Sequence, residues 1–172
     1  MLTVRKLSAA EAPEHLSALA GVLVDCVAGG ASVSFLSPFS QAEAEQFYGK
    51  VIEGVAAGDR ILLAAFIGGA LVGTVQLLTS MPPNQPHRAE VSKLLVARSA
   101  RGQGIGAALM EAVEHHARAA GKTLLLLDTA TGGDAERLYH RLQWTQAAII
   151  PNFALLPDGR LCATTLFWKA LT

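Results

Sequence analysis

The residues best suited to chemistry lie between Val91 and Met110, where an apolar run feeds a basic loop and Gly102, Gly104 and Gly106 precede a helical pattern. Glycines let backbone N–H groups approach a ligand closely, and a helix N-terminus leaves its first N–H groups unpaired and partly positive. A pyrophosphate placed there would be held by the backbone, with Arg98 and Arg101 adding charge. The plainer alternative is a tight turn with close helix-sheet packing, which a short glycine pattern serves equally well. A dinucleotide site is the sharper rival, because Gly102, Gly104 and Ala107 satisfy G-x-G-x-x-A and Asp128 follows at about the expected distance. Position speaks against it: Ala97 to Arg101 separates the strand from the glycines, and antiparallel strands come first.

At Arg101-Gly-Gln-Gly104-Ile-Gly106 the chain resembles the GNAT superfamily of N-acetyltransferases, whose signature is Arg or Gln, two residues, Gly, one residue, then Gly or Ala. Leu94-Leu-Val96 before it, and Leu138-Tyr-His-Arg-Leu-Gln-Trp144 after it, look like the family's neighbouring motifs. The resemblance implies acetyl-CoA as donor co-substrate. Backbone groups of Leu94, Leu95 and Val96 would pair with the pantetheine arm, and Arg101, Gly102, Gln103, Gly104, Ile105, Gly106 and Ala107 would hold the pyrophosphate. A narrower likeness to the tabtoxin-resistance type rests on His87 to Val96, Leu127-Asp-Thr129 and Pro157-Asp-Gly-Arg160. It implies acceptors that are amino groups of small amino-acid-like compounds, a β-lactam toxin among them, and hence a resistance role.

Acetyl transfer requires an amine without its extra proton and a proton for the departing thiolate. An alkyl ammonium titrates near about 10 and a thiol near about 8.5, so one base and one weak acid are needed at neutral pH. Glu90 and Asp128 are the candidate bases, at the ends of strands that border the acceptor site in the family. Either residue could instead bind the substrate ammonium. The plain readings are a solvated Glu90 paired with Arg88 or Lys93, and Asp128 as a loop cap. Tyr139 matches the family's proton donor to sulfur, although Ala135, Leu138, Tyr139 and Leu142 also form one apolar helix face. Gln143 stands where most relatives have Gly, which puts in doubt a left-handed helix end there. Asp25, Ser32, Ser34 and Phe35 surround a glycine-rich helix end that could contribute to the acceptor pocket, Phe35 as a substrate contact. The expected reaction is direct attack through a tetrahedral intermediate, with no acyl-enzyme. A non-catalytic acyl-CoA sensor, or an enzyme acting on protein N-termini or lysines, are the alternatives.

The elements that must position these groups follow from periodicity. Strands are expected at Leu2–Leu7, Arg60–Ile67, Ala70–Leu78, Arg88–Val96, Leu124–Leu127, Trp144–Leu155 and Leu161–Lys169. Helices are expected at Ala9–Val27, from a Ser40 cap toward Ala57, at Gln103–Ala120 and at Asp134–Leu142. Antiparallel hairpin, then strand-helix-strand, then helix and hairpin spell a mixed α/β sheet flanked by helices. Its 172 residues fit one domain, residues 1–172.

Fourteen basic residues balance 14 acidic ones, so no net field gathers nucleic acid or anionic membrane. No apolar stretch reaches membrane-spanning length, and the N-terminus lacks a secretory pattern. Cys26 and Cys162 have no short-spaced partners, and the five histidines lack ligand spacing, so no metal is expected. A cytoplasmic protein is the expectation, with a homodimer possible.

Overall fold

A computed structural model describes residues 1–172. The strands are β1 (Leu2–Leu7), β2 (Arg60–Ile67), β3 (Ala70–Leu78), β4 (Arg88–Val96), β5 (Leu124–Ala130), β6 (Thr145–Leu155) and β7 (Leu161–Ala170). The helices are α1 (Leu16–Ala28), α2 (Gln41–Ala56), α3 (Ile105–Ala119) and α4 (Asp134–Arg141). All seven strands join one sheet in the order β1-β2-β3-β4-β5-β7-β6. Only β4 and β5 run parallel, because α3 carries the chain back across the sheet between them.

Helices cover both faces, which explains why β2 reads as a continuous apolar run. Leu63 and Ala65 face a core that includes Leu109 and Val113 of α3, Leu125 and Leu127 of β5, and Phe167 of β7. Leu62, Ala64 and Phe66 face the opposite way, against Leu19 and Leu23 of α1 and Tyr48 and Val51 of α2. No helix is long and apolar enough to cross a membrane.

Element ends differ from the sequence expectation in several places; helix α3 opens at Ile105 rather than Gln103, because Gly104 takes a left-handed conformation at its cap. The first helix opens as a 3-10 turn, Ala12–His15, and becomes regular only at Leu16. Pro13 lacks the N–H that an α-helical turn would use. Strand β5 continues to Ala130, because Asp128, Thr129 and Ala130 pair with Leu166, Thr165 and Thr164 of β7. Asp128 is therefore within the strand. Gln143 takes the left-handed conformation itself, at φ 62°, so α4 ends as it would with glycine there.

Edge strand β6 departs from alternation: Ile149, Ile150 and Phe153 are all exposed. Irregular register with β7 around Ile150 to Ala154 accompanies this.

Candidate active site

Parallel pairing between β4 and β5 stops at Glu90 and Leu126. Beyond that point the strands part, and Val91–Val96 has no partner on the β5 side. A cleft opens there through the middle of the sheet. Leu95 and Val96 stay in register with Thr74 and Gly73 of β3, so only those backbone groups of Leu94–Val96 that point away from β3 can pair with an extended polar ligand, and Val96 O among them already meets Arg101 Nε at 3.3 Å.

The cleft leads to the glycine loop. Gly104 caps α3 at φ 76°, and Gly102 sits at φ 77°; a Cβ at either would meet nothing within 4 Å. The first helical bond of α3 runs from Ala108 N–H to Gly104 O at 3.0 Å. The N–H groups of Gly102, Gln103, Gly104, Ile105, Gly106 and Ala107 thus find no backbone acceptor. Six successive free donors beside open space fit a pyrophosphate. Gly106 serves packing instead, since a Cβ there would stand 3.0 Å from Leu138 Cδ2 and its absence lets α4 approach α3.

The two arginines expected to add charge are otherwise engaged. Arg98 donates its backbone N–H to Asp25 Oδ2 at 2.7 Å and its Nε to Oδ1 at 2.8 Å. Burial pulls the Asp25 carboxyl upward, but these two bonds and the guanidinium charge outweigh it and hold the group below its ordinary range. Asp25 therefore ties α1 to the loop and is not free for an acceptor. Arg101 turns inward, its Nε 3.3 Å from Val96 O.

Tyr139 of α4 is buried, with Trp144 and Phe167 around its ring. Its hydroxyl has no hydrogen-bond partner within the chain. Burial, and secondarily the charge of Asp128, push the phenol well above its usual pKa. It stays protonated at neutral pH.

Glu90 and Asp128 share one face of the sheet, since Glu90 aligns with Leu126 across the parallel pair and Asp128 is two residues further on. This is the face that α1 and α2 cover over β2, left open at β5. Thr164 Oγ1 lies 2.9 Å from Asp128 Oδ2, leaving Oδ1 unpartnered. Glu90 instead accepts from Arg88 at 2.6 Å. Phe35 stacks on Phe39 at 4.4 Å and meets Phe47 edge-on at 5.3 Å. These rings and Ser34 line an open pocket of about 500 Å³.

One residue of this region escaped the sequence reading as a site residue. Between Ser92 and Leu95, β4 holds one residue more than β3 does between Gln76 and Thr74, and Lys93 occupies the bulge at φ 55°. Strict alternation from Ala89 and Val91 would send Lys93 into the core under α3. The bulge turns it to the other face, where Nζ bonds Ser34 Oγ at 3.0 Å and lies 5.9 Å from the Phe47 ring centre. No glycine or proline marks the bulge, so no local residue type signals it.

The chain belongs to the acetyltransferase (GNAT) family, whose model matches residues 27–144. An uncharacterized N-acetyltransferase of the hisH-hisA intergenic region of Azospirillum brasilense is 31% identical over 106 residues. That match spans 60% of this chain and 61% of the relative. Among solved structures, an N-acetyltransferase from Staphylococcus aureus Mu50 superposes with TM-score 0.82 at 18% identity, covering 100% of this chain and 99% of that one. YncA of Salmonella typhimurium, assigned as an acetyltransferase and solved with its cofactor acetyl-CoA, gives TM-score 0.80 at 20% identity, covering 99% and 94%. These likenesses show the fold.

Proposed function

We propose that the protein, acting as one domain, transfers the acetyl group of acetyl-CoA to the amine of a small amino-acid-like molecule. The observation that carries this reading is the run of free N–H groups from Gly102 to Ala107, which follows in the chain on the edge of β4 that β5 leaves unpaired. When bound, acetyl-CoA supplies an activated thioester carbonyl. Residues Gly102–Ala107 hold the pyrophosphate, and the edge at Leu94–Val96 aligns the pantetheine arm.

Asp128 binds the acceptor ammonium through its free Oδ1 and receives a proton from it. Thr164 fixes the carboxylate in that orientation. Glu90, held by Arg88, supports the same face and is the weaker candidate for a base. The Tyr139 phenol, kept protonated, donates a hydrogen bond toward the departing sulfur.

The tabtoxin-resistance likeness supports a small acceptor. Ser37 N–H bonds Pro157 O at 2.8 Å, joining the turn at Pro157–Arg160 to the α1–α2 loop. A resistance role in the cytoplasm accompanies this reading. Exposed Ile149, Ile150 and Phe153 on β6 support a homodimer.

The test is to incubate the protein with acetyl-CoA and a panel of amino acids, polyamines, antibiotics and peptides, following thiol release and acetylated product. Turnover with a small amine is expected. CoA binding without product from any acceptor would make the protein a sensor, and turnover confined to peptides would transfer the reading to protein acetylation.

A further inference from the structure

Four non-glycine residues hold a positive φ: Ser34, Lys93, Gln143 and Asn152. Two of them, Ser34 at 83° and Lys93 at 55°, are joined by the Lys93 Nζ to Ser34 Oγ bond of 3.0 Å. Left-handed backbone at a non-glycine residue is strained and persists only where the surroundings impose it. Here the strain falls on both partners of a single contact at the mouth of the cleft.

Lys93 is a half-buried cation without a counter-ion. No carboxylate stands within ion-pair distance of its Nζ, whereas Arg88 is held by Glu90 and Arg98 by Asp25. An ammonium carries three donors, and the Ser34 hydroxyl takes only one. Burial lowers the Lys93 pKa, and the charge of Asp128 acts in the opposite sense. The bulge turns Lys93 to the sheet face that also carries Glu90 and Asp128, and no ion pair joins it to either carboxylate. A cation with free donors on the same sheet face as a carboxylate with a free oxygen matches a zwitterion of opposite polarity.

We propose that Lys93 binds the carboxylate of the acceptor while Asp128 binds its amine, so that the site selects α-amino acids over simple amines. This inference rests on the acetyl-transfer reading above and adds the residue that sets its specificity. Ser34 orients the ammonium, and the Phe47 ring, 5.9 Å from Nζ, gives it an apolar flank.

The experiment compares alanine, phenylalanine and histidine with their decarboxylated counterparts ethylamine, phenethylamine and histamine, using the parent, Lys93→Met and Lys93→Arg. The parent is expected to favour the amino acids. Lys93→Met should raise their KM roughly 10- to 100-fold with little change for the amines, and Lys93→Arg should recover part of the loss. In parallel, calorimetry of the CoA-loaded protein with N-acetylalanine reads carboxylate binding without turnover, and that binding should be lost in Lys93→Met. Equal losses on amino acids and amines, or undiminished N-acetylalanine binding in Lys93→Met, would overturn the proposal. A parent that acetylates amines readily, but neither turns over amino acids nor binds N-acetylalanine, would overturn it while leaving acetyl transfer intact. A parent inactive on every acceptor that binds CoA but not N-acetylalanine would refute both.

Discussion

The two sides of the cleft are built from different materials. On the proposed donor side the groups on offer are backbone: Gly102–Ala107 present unpaired N–H groups, and β4 presents an unpaired edge, while Arg98 is tied to Asp25. On the proposed acceptor side the groups on offer are side chains: Asp128, Glu90 and Lys93, carried by β4 and β5 at and beyond the last pair between them. Backbone donors suit a ligand that never changes, since they tolerate most substitutions that keep the turn. Side chains suit a ligand that varies between relatives, because single replacements alter what is bound. Donor-side changes should therefore alter CoA affinity, and acceptor-side changes should alter turnover or acceptor KM.

The sharpest break is expected from Gly104→Val. A β-branched residue at φ 76° is strained, and its side chain would occupy the space left for the ligand. Hydrogen bonds to a charged group contribute about 1.5–3 kcal/mol each, so losing two should weaken CoA binding by roughly 100-fold or more. Calorimetry on a variant shown by circular dichroism to be folded checks this; parental affinity would exclude the backbone cradle.

Tyr139→Phe comes next, with kcat lowered on the order of 10²-fold and acetyl-CoA affinity near the parent's. Single-turnover kinetics at a saturating acceptor reads the chemical step. Parental kcat across pH would leave Tyr139 as a core residue beside Trp144 and Phe167.

Asp128→Asn should cost roughly 10-fold in acceptor KM or kcat and leave CoA binding unchanged, because the amide loses the charge of the ammonium contact. Steady-state kinetics with both substrates varied separates the two sides. A defect in CoA affinity instead would mean that the sides are not independent.

The smallest effect concerns Asp25, whose folded-state pKa is lowered. Its stabilisation is present above the ordinary aspartate range near about pH 4 and lost as pH falls through the folded value. The pair is partly exposed, so the contribution is about 1 kcal/mol or less. The parent's Tm should fall more than that of Asp25→Asn between pH 5 and pH 3, as thermal melts would register. Identical slopes would remove the Asp25–Arg98 tie from the stability of the loop.

The same division governs how much the sequence reveals. The glycine cradle is legible because left-handed turns and close packing demand particular residue types at fixed spacing. Strand positions are legible too, since buried strands such as β2 and β5 are continuous apolar runs bounded by turn residues. Asp128 and Glu90 are visible as residues, but a chain does not state which carboxylate is held by Arg88 and which keeps a free oxygen. Lys93 is hidden by its bulge: one extra residue reverses the strand's alternation, and nothing local announces it. Arg98 and Asp25 are 73 positions apart, and only tertiary packing joins them.

The most direct test of the backbone cradle follows amide resonances of isotope-labelled protein while CoA is added, then an acceptor. The amides of Gly102–Ala107 should shift on adding CoA alone, with Lys93 and Asp128 moving further only when the acceptor follows. Amides of Gly102–Ala107 that stay unmoved at saturating CoA would contradict it.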